Sequence, residues 1–254
     1  MRKLRLLMIP IVLLAGVLGS CSLRQHFVEN QPTAPSKNGL NLESSQKSQI
    51  PTNKKSVEVV SNPSAIPVLV NKYNKLPDRY KPSDLVDPDI PFIFNEKVEK
   101  RKLRVKAARA IEKLFSGAKQ DGISLLGVSA YRSHAAQTAL FNRYVSEDGV
   151  KEAMAYSAVP GTSEHETGLA IDVTGGDGKC AAEDCFSGTV PAKWLEKHAD
   201  EYGFIIRYPK GKKNITGYQY EPWHLRYVGK TAAKEITTQK LTLEEYLQTI
   251  QVNN

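Results

Sequence analysis

The sequence predicts an α+β domain over residues 66–254, a small antiparallel sheet flanked by helices. Two patterns carry that expectation. Ile123–Tyr131, Leu169–Val173, Phe204–Tyr208 and Tyr220–Val228 are apolar runs of strand length,. Other segments repeat their apolar residues at helical spacing, and helices set beside such strands bury both kinds of apolar face.

In chain order, Asn74–Pro82 reads as an irregular wrapping segment. A helix is predicted over Glu96–Ala118, where Val98, Leu103, Ala107, Ala110, Ile111 and Leu114 recur at helical spacing,. The lysines and arginines between them form a solvated face, and Gly122 ends the element,. Ile123–Tyr131 follows as a buried strand. Ser133 can cap a helix that starts at His134 and carries Ala135, Ala139, Leu140, Phe141 and Tyr144,. A short helix over Met154–Ala158 is stopped by Pro160 and Gly161,. Pro191 opens a helix through Trp194, Leu195 and His198 to Tyr202, which Gly203 closes,. A last helix, Leu243–Ile250, packs on the edge.

The 254 residues suffice for one or two domains, and 41% hydrophobic with 24% charged residues suits a soluble globular protein,. The formal charge of +8 falls to +5 without residues 1–20, which hold Arg2, Lys3 and Arg5 and no acid. Such a field suits a polyanionic wall or an anionic membrane surface. With no zinc-finger spacing, arginine-rich run or aromatic-interleaved basic stripe, no nucleic-acid partner is expected,. A monomer is expected.

The N-terminus carries an address. A positive Arg2–Arg5 region leads into an apolar run from Leu6 to Leu18, too short for a span, then Gly19, Ser20 and Cys21,. This resembles a bacterial lipoprotein signal, implying a signal peptide over 1–20 and lipid on the Cys21 thiol. Residues 21–65, rich in Ser, Asn, Gln, Pro, Thr and Lys, read as a disordered tether,. The expected location is outside the cytoplasm, lipid-anchored to the bacterial cell membrane.

Among five histidines, His26 lies in the tether, His198 reads as a surface residue, and His134 sits ambiguously at a helix start. His165 precedes Asp172 by seven positions, across a turn containing Gly168. An aspartate between Ile171 and Val173 needs a partner or a metal, since a buried carboxylate is costly alone,. A His–Asp hydrogen bond or two metal ligands both answer that need. Gly168 and Ala170 would leave room for close approach. Glu221-Pro222-Trp223-His224 adds a third ligand-type histidine and a spare carboxylate, with Trp223 as an apolar wall. That carboxylate suits a general base or a salt bridge to Arg226. Arg132, with Ser133 and Gln137 nearby, suits a substrate anion or an ordinary ion pair,. Cys180 and Cys185 flank a four-residue loop, and an exported protein can keep them bridged,.

From about Ile66 to Val228 the chain resembles the VanY-type D-alanyl-D-alanine carboxypeptidases, zinc peptidases of the wall-trimming LAS group. Ser163, His165, Gly168, Ala170 and Asp172 match Ser-x-His-x-x-Gly-x-Ala-x-Asp. Glu221 and His224 match Glu-x-x-His, and Tyr131, Arg132 and Ser133 match Tyr-Arg-Ser. The resemblance implies one zinc ion on His165, Asp172 and His224, with Glu221 as catalytic base. Arg132 would bind or stabilise substrate anions and Ser163 would help bind substrate; Ser133, Gln137 and Trp223 complete the expected substrate-binding set. The implied reaction removes the terminal D-alanine of a peptidoglycan stem peptide. An L,D-carboxypeptidase acting on tetrapeptides is the rival, and a non-catalytic wall-binding module is a rival of another class.

Overall fold

The computed structural model describes residues 56–252, with side chains to 248. Cys21 and the expected signal and tether lie outside the described residues, apart from the last stretch before residue 66. There the chain is already paired: β1 (Glu58–Val59) lies parallel to β2 (Asn74–Lys75). β3 (Leu85–Val86) pairs antiparallel with β4 (Leu103–Arg104) and leads directly into α1 (Val105–Gln120). Helix α1 buries Ala107, Ala108, Ile111, Leu114, Phe115 and Ala118, one face at three- and four-residue spacing,.

The helix expected from Glu96 therefore begins nine residues later. Val98 is exposed, so the lysine-rich stretch before Leu103 has no apolar stripe to bury,. Its backbone is used elsewhere: the Ala130 and Tyr131 amides donate to the carbonyls of Lys100 and Lys102. Leu103 is buried as a strand residue.

β5 (Leu125–Ser129) then runs to α2 (His134–Asp148), whose N-cap Ser133 accepts from the Ala136 amide as expected,. α3 (Val150–Tyr156) follows Gly149. β6 (Ala170–Gly175), α4 (Val190–His198), β7 (Phe204–Ile206), α5 (Lys213–Thr216) and β8 (His224–Tyr227) complete the centre. α6 (Lys230–Gln239) and α7 (Leu243–Val252) close the domain. Sequence reading missed α6. It buries only Ala233 and Ile236, and its threonines weaken a helical signal,.

Four strands form one antiparallel sheet in the order β5-β6-β8-β7. Strand β6 is interior and buried throughout. Ile171 and Val173 join the main core with Leu114, Phe186, Leu195 and Leu225. The register sets Asp172 opposite Ser129 on β5 and opposite His224 on β8. Two ligand-type residues 52 positions apart thus meet through sheet pairing.

Gly168 closes the 3-10 turn over Glu164–Thr167 in the left-handed region, at φ +66°. A Cβ there would sit 2.8 Å from Leu85 Cδ2 and 3.0 Å from Arg104 Cγ. The constraint is backbone conformation and the β3–β4 packing, rather than the metal approach suggested by sequence. Gly168→Ala should cost about 1–3 kcal/mol. Urea unfolding checks this against Gly122→Ala, also at positive φ but with open space around the added methyl. The Gly168 variant should show the larger fall in midpoint.

Candidate metal centre and active site

The 3-10 turn before β6 supplies His165, β6 supplies Asp172, and the start of β8 supplies His224. All three are buried, and one ligand atom from each lies within 4.8 Å of the others. The rings of His165 and His224 meet edge to face, with centroids 5.0 Å apart.

Their outer hydrogen bonds decide which nitrogens are free. His165 Nδ1–H donates to the Ala130 carbonyl at 2.7 Å, leaving Nε2 as a lone pair 3.3 Å from Asp172 Oδ2. His224 Nε2 faces Glu164 Oε2 at 3.4 Å, and its Nδ1 lies 2.9 Å from Asp172 Oδ1. A histidine whose far nitrogen donates to an oxygen is the usual state of a metal-bound imidazole. Burial pulls the His224 pKa down, but the Asp172 and Glu164 carboxylates outweigh it and push it up to about 10. The pocket thus favours positive charge at Nδ1, where a cation can replace the proton. Burial raises the Asp172 carboxyl, yet the two imidazoles hold it well below the usual range, so it is an ionised donor. The donor set can chelate one divalent metal, and its His₂–carboxylate chemistry fits zinc.

Glu164 fills the unspecified position between Ser163 and His165, and the sequence assigns it no role. It is fully buried beneath the site and binds three groups at once. Its Oε1 accepts from Arg207 Nε at 2.6 Å and Arg226 Nη1 at 2.5 Å, while Oε2 faces His224. Burial would raise its pKa, but the two guanidiniums lower it further, so it is a carboxylate. Arg207 continues to Glu244 on α7 through a two-bond fork of 2.9 and 2.7 Å,. Arg226, the counter-ion that sequence offered for Glu221, is used here instead. His224 and Arg226 are two apart on β8 and so share a face.

Glu221 is free of that pairing and half-buried. The His224 amide donates to the Glu221 carbonyl at 3.1 Å, closing a turn with Pro222 at its second position,. Burial raises the Glu221 carboxyl to about 7; His224 opposes, while Asp172, Glu164 and Asp184 add to the rise. A carboxyl tuned so is suited to proton transfer near neutrality.

The cleft above the triad holds about 460 Å³, and Arg132, Gln137, Ser163, Glu221 and Trp223 line it. Arg132 donates to Gln137 Oε1 at 2.9 Å and Ser129 Oγ at 3.3 Å, both neutral, and has no carboxylate partner among the described residues. Gln137 is held in turn by the Ala158 carbonyl at 2.7 Å. Ser133 does not line the cleft: it caps α2 and donates to Glu99 at 2.9 Å. His134 pairs with Glu166 at 2.9 Å, also outside the lining. Sequence missed Tyr208 and Tyr218. The Tyr208 ring lies 5.1 Å from that of His224, and the buried Tyr218 hydroxyl has no hydrogen-bond partner among the described residues. Cys180 and Cys185 are bridged, with Cα atoms 5.5 Å apart, and their loop places Ala182 and Asp184 on the cleft wall.

A metal-binding triad beside a tuned carboxyl, at the floor of an open cleft, puts the chain among the zinc-dependent metallocarboxypeptidases,. Comparison with known proteins narrows the class. The family model for VanY, D-alanyl-D-alanine carboxypeptidase, matches residues 100–230, and the chain belongs to that family. A relative from Bacillus subtilis (strain 168), named putative carboxypeptidase YodJ, is 48% identical over 87% of this chain and 82% of its own length. The solved LdcB LD-carboxypeptidase superposes with a TM-score of 0.73 at 49% identity, covering 76% of this chain and 90% of the other. VanYB in complex with D-alanine-D-alanine superposes with a TM-score of 0.59 at 34% identity, covering 72% and 98%. At the level of the family, the chain is a metallopeptidase acting on the D-alanine linkages of peptidoglycan stem peptides.

Glu164→Gln should weaken zinc affinity about 10- to 100-fold, as loss of an imidazole's outer partner does. It should also cost about 3–5 kcal/mol by leaving Arg226 without its carboxylate. Chelator competition and urea unfolding read the two effects separately. Glu244→Gln, whose side chain hydrogen-bonds only Arg207 and Asn71 among the described residues, should lower stability and leave zinc affinity within about twofold,.

Proposed function

We propose that this protein is an L,D-carboxypeptidase that removes the terminal D-alanine from stem tetrapeptides. The observation that carries this reading is the graded likeness: 49% identity to LdcB, named as an LD-carboxypeptidase, against 34% to VanYB, shown with D-alanine-D-alanine. The D,D reading favoured by the sequence motifs becomes the alternative, since those motifs carry the shared chemistry rather than the peptide preference.

In this reading His165 Nε2, Asp172 and His224 Nδ1 hold zinc, which when bound supplies a Lewis acid and a water of lowered pKa. Glu221 takes a proton from the attacking water and returns it to the leaving amine. Arg132, oriented by Gln137 and Ser129, engages the peptide's terminal carboxylate or the oxyanion formed on the attacked carbonyl,. Ser163 and Trp223 contribute a polar contact and an apolar wall. Every ligand comes from one chain, so a monomer suffices. Lipidation of Cys21, with the residues ahead of β1 as tether, would hold the enzyme at the outer face of the membrane and let it reach the wall.

Two measurements test this. With defined tetra- and pentapeptides and product identification by mass, D-alanine should leave the tetrapeptide faster; cleavage of pentapeptide alone would return the D,D reading. Glu221→Ala should keep one zinc per chain yet lose about 10²- to 10⁴-fold in kcat. Undiminished turnover would remove Glu221 from its role.

A further inference from the structure

Two charged side chains on the cleft wall, one of each sign, lack a counter-ion among the described residues. Arg132 binds only neutral groups, and Asp184, also on the lining, has no ion pair and no side-chain hydrogen bond among the described residues. The other acids there are committed: Asp172 to the metal triad, Glu164 to its arginines, Glu221 to proton transfer. No lysine lines the cleft, and Arg132, its other unpaired charge, is held by Gln137 and Ser129.

Asp184 is also well held for an exposed residue. The Thr174 hydroxyl donates to the Lys179 carbonyl at the loop's start, and Phe186 is buried in the main core at its end. Between them the Cys180–Cys185 bridge ties the loop across five positions, and Asp184 begins a 3-10 turn over Asp184–Phe186. Cys180 and Ala182 hold left-handed backbone at φ 54° and 57° without being glycine, a conformation kept only where surroundings enforce it,. The charge is therefore pre-positioned, which lowers the entropy cost of using it for binding.

The substrate class of the proposed reaction brings a complementary pair. A stem peptide has a terminal carboxylate and, at position three, a diamino acid with a side-chain ammonium. We propose that Asp184 is a specificity residue that binds this ammonium while Arg132 engages the carboxylate end. The proposal rests on the carboxypeptidase reading of the site. It predicts that the disulfide loop selects a cationic third residue and rejects a neutral one of the same length.

The test uses the zinc-loaded full chain and four peptides: tetra- and pentapeptides with lysine or norleucine at position three. Norleucine removes the ammonium without adding bulk. On the peptide length that is cleaved, the wild-type kcat/KM ratio of lysine to norleucine should be about two to five, the scale of a solvent-flanked ion pair. In Asp184→Asn it should collapse to about one, with the change mainly in KM, and Asp184→Glu should restore part of it. An unchanged ratio in Asp184→Asn, or no discrimination by the wild type, overturns the role. Cleavage confined to pentapeptides would defeat the L,D reading, and the ratio on those peptides would still decide Asp184.

Discussion

The buried carboxylate of Glu164 is the constraint on which the rest of the site depends. It pairs with two fully buried guanidiniums, one of them shared with Glu244, and holds the outer nitrogen of a metal-ligand histidine. Arg226 extends from it to the carbonyls of Ile66 and Val68 at the front of the domain, and Arg207 extends to Glu244 on the C-terminal helix. One charge cluster thus fastens the entry segment, the sheet and α7 beneath the ligands. Such clusters are weak sources of net stability, because desolvation cancels much of the attraction. What they enforce is geometry: any shift in the sheet would leave a buried charge without its partner.

Above that layer the register of β6 against β8 does the positioning. Asp172 and His224 face each other across the pair, and His165 is brought in by a turn that Gly168 ends. The charges are arranged in depth. At the floor the arginines and Glu164 are locked together; next come the triad and Glu221, poised by burial to exchange a proton. At the mouth lie Arg132 and Asp184, whose charges have no partner among the described residues. Polar groups satisfied below and left open above are what a binding cleft requires.

Much of this was legible in the sequence, and for identifiable reasons. An aspartate inside an apolar strand and a histidine after Glu-Pro-Trp stand out because their burial demands a chemical partner. Strand pairing then brought them together. Glu164 gave no such signal: it sits among polar residues, and only the fold shows it to be buried. Tyr218 and Asp184 were equally silent, since their place on the cleft wall comes from loop geometry rather than from periodicity. The helix expected from Glu96 failed because helical propensity in a lysine-rich stretch lost to backbone pairing with the end of β5. Helix α6 was hidden for the opposite reason, burying too few apolar residues to leave a period. Ser133 was read both as cap and as substrate contact; the structure uses its hydroxyl for the cap and for Glu99.

The most direct test of the metal centre is a crystal of the zinc-soaked protein measured on both sides of the zinc absorption edge. A single strong anomalous peak should appear about 2.0–2.2 Å from His165 Nε2, an Asp172 carboxylate oxygen and His224 Nδ1. A fully active enzyme with no peak between those three side chains, or with its only peak elsewhere, would contradict the account.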